Sequence, residues 1–561
     1  MLQNADDITV LIPAAGPVEE GILALSNITC SAMIPVAGRP VIHWTLSYLQ
    51  SLGIKRFVIA IPRKDLFVED FVEYIFGQEA EIEFIVPSHD GGLGWTIREL
   101  SQHSKTSSSL VVLGDTHFQF ADSTVLGEEI PLVLTSEVEE SYRWCTVDSD
   151  AEGVVESLHD KVVDLQAEKH SALIGVYYFP DNDLLKTTSA SATEEARKRS
   201  ERASMADILD RYRIDSPVKA VEAKEWLDCG NADRQAEAHR SLLQKREFNE
   251  LSIDSVMGTI TKRSRNVAKF IDEINFLRLL PNQLQVLFPR VLDYSIDWNE
   301  PHITLEYYGY PSLAEAFVFE NIDAGIWERV FSHIHNIVTT GFHAYSRPVP
   351  EKNLREMYLE KTFNRLQDID SNLQLRKLVE TDERLSVNGQ TMPSLSEIQN
   401  RLEDEFAKLA STAVGSIMHG DLCFSNILYD MRSRVCKFVD PRGSFGDIGI
   451  YGDSRYDVAK LFHSVFGLYD FITNDLFRVA VKDDCAIELE ICSRPHHEQV
   501  CARFEEIFFP SFDRRQILLI TGLLFASMPA LHYDKPQRQL AMYARALQIF
   551  AEAFSLPTTE N

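Results

Sequence analysis

MHGDLCFSNILY, Met418 to Tyr429, and KFVDPRG, Lys437 to Gly443, carry the pattern from which the rest of the chain is read. Apolar residues bracket three polar ones: Asp421, then Asn426 five residues on, then Asp440 fourteen further. Phosphoryl transfer from a nucleotide needs one carboxylate beside the attacking hydroxyl, and a carboxylate plus an amide to hold magnesium against the phosphates. The spacing supplies that set, with the apolar strand Cys436-Lys437-Phe438-Val439 delivering Asp440. The plainer alternative is a β-hairpin with a turn that happens to be polar.

A chain of 561 residues exceeds what one hydrophobic core organises, so two or three domains are expected. With 45% apolar and 25% charged residues the composition is that of a soluble globular protein. The net charge of −29, from 84 acidic against 55 basic residues, argues against a nucleic-acid surface, which needs a clustered basic face. It leaves nucleotides open, because magnesium and a few local donors hold phosphates on an acidic protein. Eight cysteines without a C-x-x-C pair suggest neither a zinc site nor a disulfide framework, and reduced thiols in a cytoplasm fit best. No signal peptide is read at the N-terminus. The most apolar run, Ile517 to Leu531, contains Pro529 and falls short of the ~20 residues of a membrane span, so a buried helix is expected there.

In the first half, Ile8 to Pro13 is a short apolar run closed by Ala14-Ala15-Gly16. A buried strand entering a small-residue turn is the natural reading, and such turns bind phosphates in α/β sheets. Apolar residues at helical spacing (Val41, Trp44, Leu46, Leu49, Leu52) lead to Gly53, and a strand Arg56 to Ile61 follows, which gives the start of a doubly wound sheet. Within Ser109 to Phe118 a buried strand is read that ends in Gly114-Asp115, and a carboxylate at such a strand end is a natural magnesium ligand. Ala172 to Pro180 is another apolar strand, and Glu225 to Asn231 presents Asp228 between Trp226 and Gly230.

At these residues the chain resembles the sugar-nucleotide pyrophosphorylases, nucleotidyltransferases that join a nucleoside monophosphate to a phosphorylated sugar or alcohol. The motifs are Ala14-Ala15-Gly16, Met33-Ile34-Pro35-Val36-Ala37-Gly38-Arg39-Pro40, Gly114-Asp115, Gly175-Val176-Tyr177 and Trp226-Leu227-Asp228-Cys229-Gly230, within about residues 6 to 243. The resemblance implies a Rossmann-like, GT-A-type mixed α/β sheet. It implies Asp115 and Asp228 as a magnesium pair, nucleotide binding at Ala14, Ala15 and Gly16, and Lys161 as a substrate contact. Gly91-Gly92-Leu93-Gly94 lies where the family meets base and sugar. Two departures stand out. The family's G-x-G-x-R loop is replaced by Gly16 followed by Pro17-Val18-Glu19-Glu20, and Cys30 and Ser31 stand where a lysine is usual. Arg39, Lys55, Arg56 and Arg98 are the candidates to replace the missing cations.

Thr187 to Glu201, rich in Ser, Thr and Ala, is expected as an exposed loop or helix start, and Ala236 to Asn249 as a charged helix. A boundary near 245 gives domains 1–245 and 246–561. Beyond it, Met257 to Ser264 reads as a strand ending in Lys262, and Val267 to Pro281 as a helix carrying Glu273. A strand lysine paired with a glutamate on the next helix clamps a nucleotide's phosphates in kinases. His302 to Gly309 is a candidate hinge strand. His333, His335 and His343 read as core or surface histidines, and His496-His497 as a loop.

The second half resembles the aminoglycoside phosphotransferase and choline kinase family over about residues 250 to 555, with His419-Gly420-Asp421, Asn426 and Val439-Asp440-Pro441 in its H-G-D-x-x-x-x-N and x-D-x motifs. This implies an α+β, two-lobed protein-kinase-like domain using ATP and Mg2+. Asp421 would act as base or orienter of the substrate hydroxyl, Asn426 and Asp440 as metal ligands, and Lys262 and Glu273 as the phosphate clamp. Asp457, in GDSRYDVAKL, reads as a cap or orienter. Arg442 and the glycines of DPRGSFGDIGIYGDSRYD suggest a flexible lip contacting a phosphate or acid group of the substrate.

Together the halves imply consecutive steps, phosphorylation of a sugar or amino alcohol and its activation by a nucleoside triphosphate, for bacterial capsule or lipopolysaccharide assembly. A kinase with a degenerate N-terminal binding domain, and a non-catalytic scaffold, remain as alternatives. Nucleic acid and membrane insertion are not expected, and the sequence is compatible with a homo-oligomer.

Overall fold

The computed structural model describes residues 5–16, 18, 28, 30–62, 67–89, 91–163, 169–244, 250–369, 372–482 and 485–557, without the side chains of 232, 233 and 244. The chain divides into two compact units, Met1–Leu242 and Leu243–Asn561. The expected boundary near 245 falls outside the described residues, as do Pro17, Glu19 and Glu20 of the departing loop.

The first unit is built on a ten-stranded mixed sheet. Its main path runs Glu81–Ile85, Arg56–Ala60, Ile8–Pro13, Ser108–Val112, His170–Phe179, Leu132–Val138, Lys219–Asp228, Thr116–Phe120. The first four strands are parallel, and their centre, Ile8–Pro13, is buried at every residue, as a strand covered on both faces must be. His170–Phe179 then runs antiparallel to Ser108–Val112, so the doubly wound arrangement stops at the fourth strand. Helix Leu93–His103 packs on helix Asn182–Arg199 over a core that includes Leu11, Val58, Ile97, Leu100, Val111 and Leu185.

Where an exposed loop or helix start is expected, at Thr187 to Glu201, the chain is helical through Arg199, in a helix that begins earlier, at Asn182. The Asp181 carboxylate caps its first turn, and Thr188 and Thr193 donate their hydroxyls to the carbonyls of Leu184 and Ser189. Its small buried residues Ser189, Ala192 and Ala196 let the neighbouring helix approach closely, a gain that propensity alone does not show.

The second unit opens with a four-stranded antiparallel sheet, in the order Glu250–Asp254, Thr259–Arg263, His302–Glu306, Val291–Ser295, accompanied by helix Val267–Leu279. Met257 and Gly258, expected within a strand, form its first turn, where the Asp254 carboxylate accepts from Val256 N and Met257 N. The remainder is mostly helical. Arg514–Ser527 is buried almost throughout, against Pro536–Ser555 and Ser454–Val465. His496 and His497 begin helix Pro495–Phe508 instead of forming a loop, because buried His497 accepts from Arg494 N through Nδ1 and donates through Nε2 to Phe317 O. No helix among the described residues is long and apolar enough to cross a membrane.

Candidate functional site

In the first unit, Ser108–Val112 and Thr116–Phe120 are separated by a turn that holds Asp115. Strand Lys219–Asp228 pairs with Thr116–Phe120 so that Asp228 stands opposite Thr116, and Cys229 N donates to Asp115 O at 2.9 Å. The register therefore brings together two carboxylates 113 residues apart in the sequence. Gly230 leaves room for both, since a Cβ there would lie 2.6 Å from Asp115 Oδ2 and 3.4 Å from Asp228 Oδ1. Burial and then the charge of Asp228 push Asp115 up to about 6. Burial also raises Asp228, although Gly230 N and Asn231 Nδ2 donate to it at 2.9 and 2.6 Å. Two facing carboxylates that resist ionisation together are a site short of positive charge, and a hard divalent cation suits them. The residues present therefore fit magnesium.

The turn after the first strand is tightly tied. Ala14 N donates to the carbonyls of Ile12 and Ala60, Cys30 Sγ to Ala14 O, and Gly114 has only 3.0 Å between its Cβ position and that of Ala14. Ala14 is buried, Ala15 half-buried and Gly16 exposed with open space around it. Lys161 is exposed, with left-handed backbone (φ 53°), and its N–H donates to Trp144 O. The glycines Gly92 and Gly94 are explained by the close passage of residues 202–203, where Gly94 N donates to Ala203 O at 2.9 Å.

Of the four candidate cations, three are placed elsewhere. Arg56 pairs in register with Thr9, at the opposite end of the sheet from Ala14, with Lys55 before it. Arg98 is held by Thr193, Glu194 and the face of Trp95. That leaves Arg39 on the short hairpin Pro35–Pro40. A cation that the sequence did not single out, Arg234, lies over Trp144, and its charge favours the ionised form of Asp228. Its place on the helix that follows Asp228 is the one available signal.

In the second unit, hairpin Ile427–Asp430/Val435–Phe438 explains the long spacing between Asn426 and Asp440. The two strands pair Ile427 with Phe438, and Val439 N donates to Asn426 O at 3.0 Å, so Asn426 and Asp440 emerge side by side. The hairpin of the plainer reading is thus present, and it is what brings the polar residues together. Asn426 Nδ2 donates to Asp421 O (2.9 Å) and Oδ2 (3.2 Å), which turns its amide oxygen away from Asp421. Asp440 adopts left-handed backbone at φ 55°, a conformation uncommon outside glycine and frequent at functional sites. An amide oxygen beside an exposed carboxylate is a hard-oxygen donor pair that fits magnesium.

Lys262 Nζ bridges the set. It meets Glu273 Oε1 and Oε2 at 2.8 and 3.0 Å and Asp440 Oδ1 at 2.8 Å. Burial works against its charge, but the carboxylates of Asp440 and Glu273 prevail and hold it above the usual lysine range. Gly443, at φ 83°, lies against the backbone of the helix that carries Glu273, where a Cβ would come within 2.3 Å of Asp272 C. Ser444 Oγ donates to Asp272 Oδ2. With Asn353 Nδ2 donating to Phe445 O and Asp447 Oδ1, the segment after Asp440 is anchored at several points rather than forming a free lip.

His419 splints this arrangement. Its Nε2–H donates to Val439 O (2.9 Å), so its Nδ1 accepts from Asp421 N, and burial keeps it neutral, down to about 4. Asp457 accepts from His419 N (2.7 Å) and Gly420 N (2.8 Å), an orienting role, while Asp453 caps the helix. Lys460, one turn on, places Nζ 2.8 Å from Asp421 Oδ1. Burial alone would raise Asp421, and Lys460 instead holds it below the usual carboxylate range. The sequence pattern did not mark Lys460. The residues Leu277, Arg290, Tyr294, Glu306 and Lys437 line a separate cleft of about 600 Å3, which includes none of these groups. Among the described residues no group of three or more His, Cys, Asp or Glu is arranged for a metal.

None of the curated proteins matches this chain. Among solved structures it is similar to HddC from Yersinia pseudotuberculosis complexed with GMP-PN, at 18% identity over 42% of this chain and 99% of that one, with a TM-score of 0.33. A putative glucose-1-phosphate thymidylyltransferase from Bacillus anthracis is similar at 18% identity over 43% and 97% (TM-score 0.37). UDP-glucose pyrophosphorylase complexed with UDP-glucose is similar at 19% identity over 44% and 100% (TM-score 0.37). Residues 23–245, which include the carboxylate pair Asp115 and Asp228, match the model of the nucleotidyl transferase family.

Proposed function

We propose that the chain is a bifunctional enzyme that phosphorylates a small hydroxyl substrate in its C-terminal unit and joins the phosphorylated product to a nucleotide in its N-terminal unit. The observation that carries the first half is the position of Lys262 between Glu273 and Asp440, with Asn426 on Asp421. Lys262 would neutralise and orient the phosphates of ATP, and Glu273 would hold Lys262. Asp421, kept ionised by Lys460, would orient the acceptor hydroxyl and take its proton as the phosphoryl group transfers. Magnesium held by Asn426 and Asp440 would supply charge neutralisation on the phosphates.

The family match over residues 23–245 and the buried pair Asp115–Asp228 support the second half. There the phosphate ester would attack the α-phosphorus of a nucleoside triphosphate and release pyrophosphate, giving an NDP-activated unit. Such a unit suits bacterial surface polysaccharide assembly.

The test supplies magnesium, ATP and a panel of nucleoside triphosphates and sugars or small alcohols, and follows ADP and pyrophosphate separately. Asp421→Ala is expected to abolish ADP formation and, because the phosphate ester is then not made, pyrophosphate release with it, whereas Asp115→Ala is expected to abolish pyrophosphate release alone. A second reading, a kinase with a binding-only N-terminal unit, draws on the placement of Arg56 and Arg98 away from the turn. ADP without pyrophosphate for every nucleotide would leave that reading standing. Normal ADP formation by Asp421→Ala would overturn the first half.

A further inference from the structure

Helix Lys361–Gln367 places Lys361 and Arg365 one turn apart on one face. Lys361 Nζ donates to Tyr456 Oη at 3.1 Å, and Arg442 Nη1 reaches the same oxygen at 3.5 Å. Tyr456 is 2% exposed, and its ring lies under the Lys361 ammonium, stacked on Tyr358. Arg442 covers Gly420 of the loop that carries Asp421, with a Cβ on Gly420 coming 2.8 Å from that of Arg442. The cluster therefore borders the carboxylate that receives the acceptor hydroxyl.

Two features need a ligand. Among the described residues, Lys361, Arg365, Arg442 and Lys269 form no ion pair with a carboxylate, and Asp421, the carboxylate whose charge reaches Lys269, is taken by Lys460. This concentration of cations occurs in a chain of net charge −29. Further, the Tyr456 oxygen accepts from two cations, so its own proton is left to donate, and no protein acceptor receives it among the described residues. A buried hydroxyl with its proton unspent, ringed by unpaired cations, is a socket for an anion.

We infer that the phosphoryl acceptor carries an anionic group, a carboxylate or phosphate, which sits on Lys361, Arg365, Arg442 and Tyr456 while its hydroxyl faces Asp421. This rests on the phosphotransferase reading of the same site and narrows it: sugar acids, hydroxy acids and polyol phosphates fit, and amino alcohols do not. The neutral hydroxyl loses its proton to Asp421, its oxygen bonds to the γ-phosphorus of ATP, and ADP leaves, so the anion takes no part in bond making.

The test has two arms on the full chain. In the first, glycerol, glycerate, glycerol phosphate, gluconate, glucose 6-phosphate, glucose and ethanolamine are offered with magnesium and ATP, and ADP is followed. At least one anionic member is expected to exceed its neutral partner by at least about tenfold in kcat/KM, the scale of a charge-assisted contact. The carboxylate and phosphate members separate the two anion chemistries. In the second, inorganic phosphate, glycerate and glycerol phosphate are titrated calorimetrically without ATP. Binding of at least one is expected in the wild type, weakened at least about tenfold in Lys361→Met and weakened in the near-isosteric Tyr456→Phe, whose fold is checked by its melting temperature. Equal use of neutral or cationic acceptors, or anion binding indifferent to Lys361→Met, overturns the inference. Anion binding with no ADP from any acceptor sustains the anion socket and defeats the kinase reading instead.

Discussion

Replacing Lys262 by Met tests the clamp through its stability as well as its activity. The side chains of Lys262 and Glu273 are 11% and 12% exposed, so removing the ammonium strands a carboxylate in a dry setting. Breaking one side of such a pair costs about 3–5 kcal/mol. Asp440, at 55% side-chain exposure, is resolvated and adds little. The double variant Lys262→Met/Glu273→Gln removes the stranded charge and is expected to recover most of the loss, to within about 1–2 kcal/mol of wild type. Kinase turnover is expected to fall by about 10²–10³ in both, because a neutral clamp leaves the developing phosphate charge unattended. The sign of the pH dependence follows from burial, which raises the Glu273 pKa. Without Lys262 the folded state keeps a proton that the unfolded state releases as pH rises, so the single variant's defect deepens from pH 5 to pH 8. Calorimetric melting of the C-terminal unit at both pH values and ADP release at pH 7 measure the two effects. Equal stability of the single and double variants, or near-normal turnover by Lys262→Met, would refute the reasoning.

Asp115→Asn should abolish pyrophosphate release yet stabilise the metal-free N-terminal unit at pH 8. A carboxyl pushed up to about 6 from its ordinary 3.8 costs about 3 kcal/mol once ionised, and little of this cost is left at pH 4. Melting in a chelator, and the loss of the magnesium-induced rise in melting temperature, would check it. Asp457→Asn leaves one of the His419 and Gly420 N–H groups without an acceptor, so kcat is expected to drop about 10–100-fold with nucleotide affinity unchanged, read by ADP release and analogue binding. Burial would raise Tyr456, but Lys361, Arg442 and Lys460 bring it down to about 8, with Arg365 also facing it. Burial likewise brings Lys361 down to about 8, so above that pH the pair sheds positive charge and the acceptor KM should rise from pH 7.5 to 9, while Lys361→Met, which removes one titrating group and the first of the cations that lower Tyr456, should flatten that rise.

Much of this was legible from local pattern. Ile8–Pro13 is a strand with the bounds its apolar run suggests, and helix Val41–Ser51 ends just before Gly53 at φ 97°. The eleven-residue interval between Lys262 and Glu273 places the two in contact because strand, turn and helix are consecutive. What escaped depends on chain segments far apart. Asn182–Arg199 is weakly amphipathic and rich in Ser and Thr, so its helicity is set by packing against another helix. Lys361 lies on a helix that the sequence did not mark, and Tyr456 and Lys460, although on the helix quoted for Asp457, meet Lys361 and Asp421 only in the folded unit. Lys55 and Arg56 show the converse, a candidate role that strand direction denies, and Arg98 is held instead by Thr193 and Glu194.

The bare backbone of Gly443 against Asp272 and Glu273 has a thermodynamic consequence. Arg442, which faces the acceptor socket, and Glu273, which holds the nucleotide lysine, are joined through a contact too tight to slide, since even a methyl group would not fit. An acceptor that draws Arg442 toward its anion would then bias the helix carrying Glu273, and a bound nucleotide would bias Arg442 in return. Linkage requires the two effects to be equal, so an ATP analogue should tighten acceptor binding by the same factor by which the acceptor tightens the analogue. Gly443→Ala, which forces the two pieces apart, should bring that factor toward one.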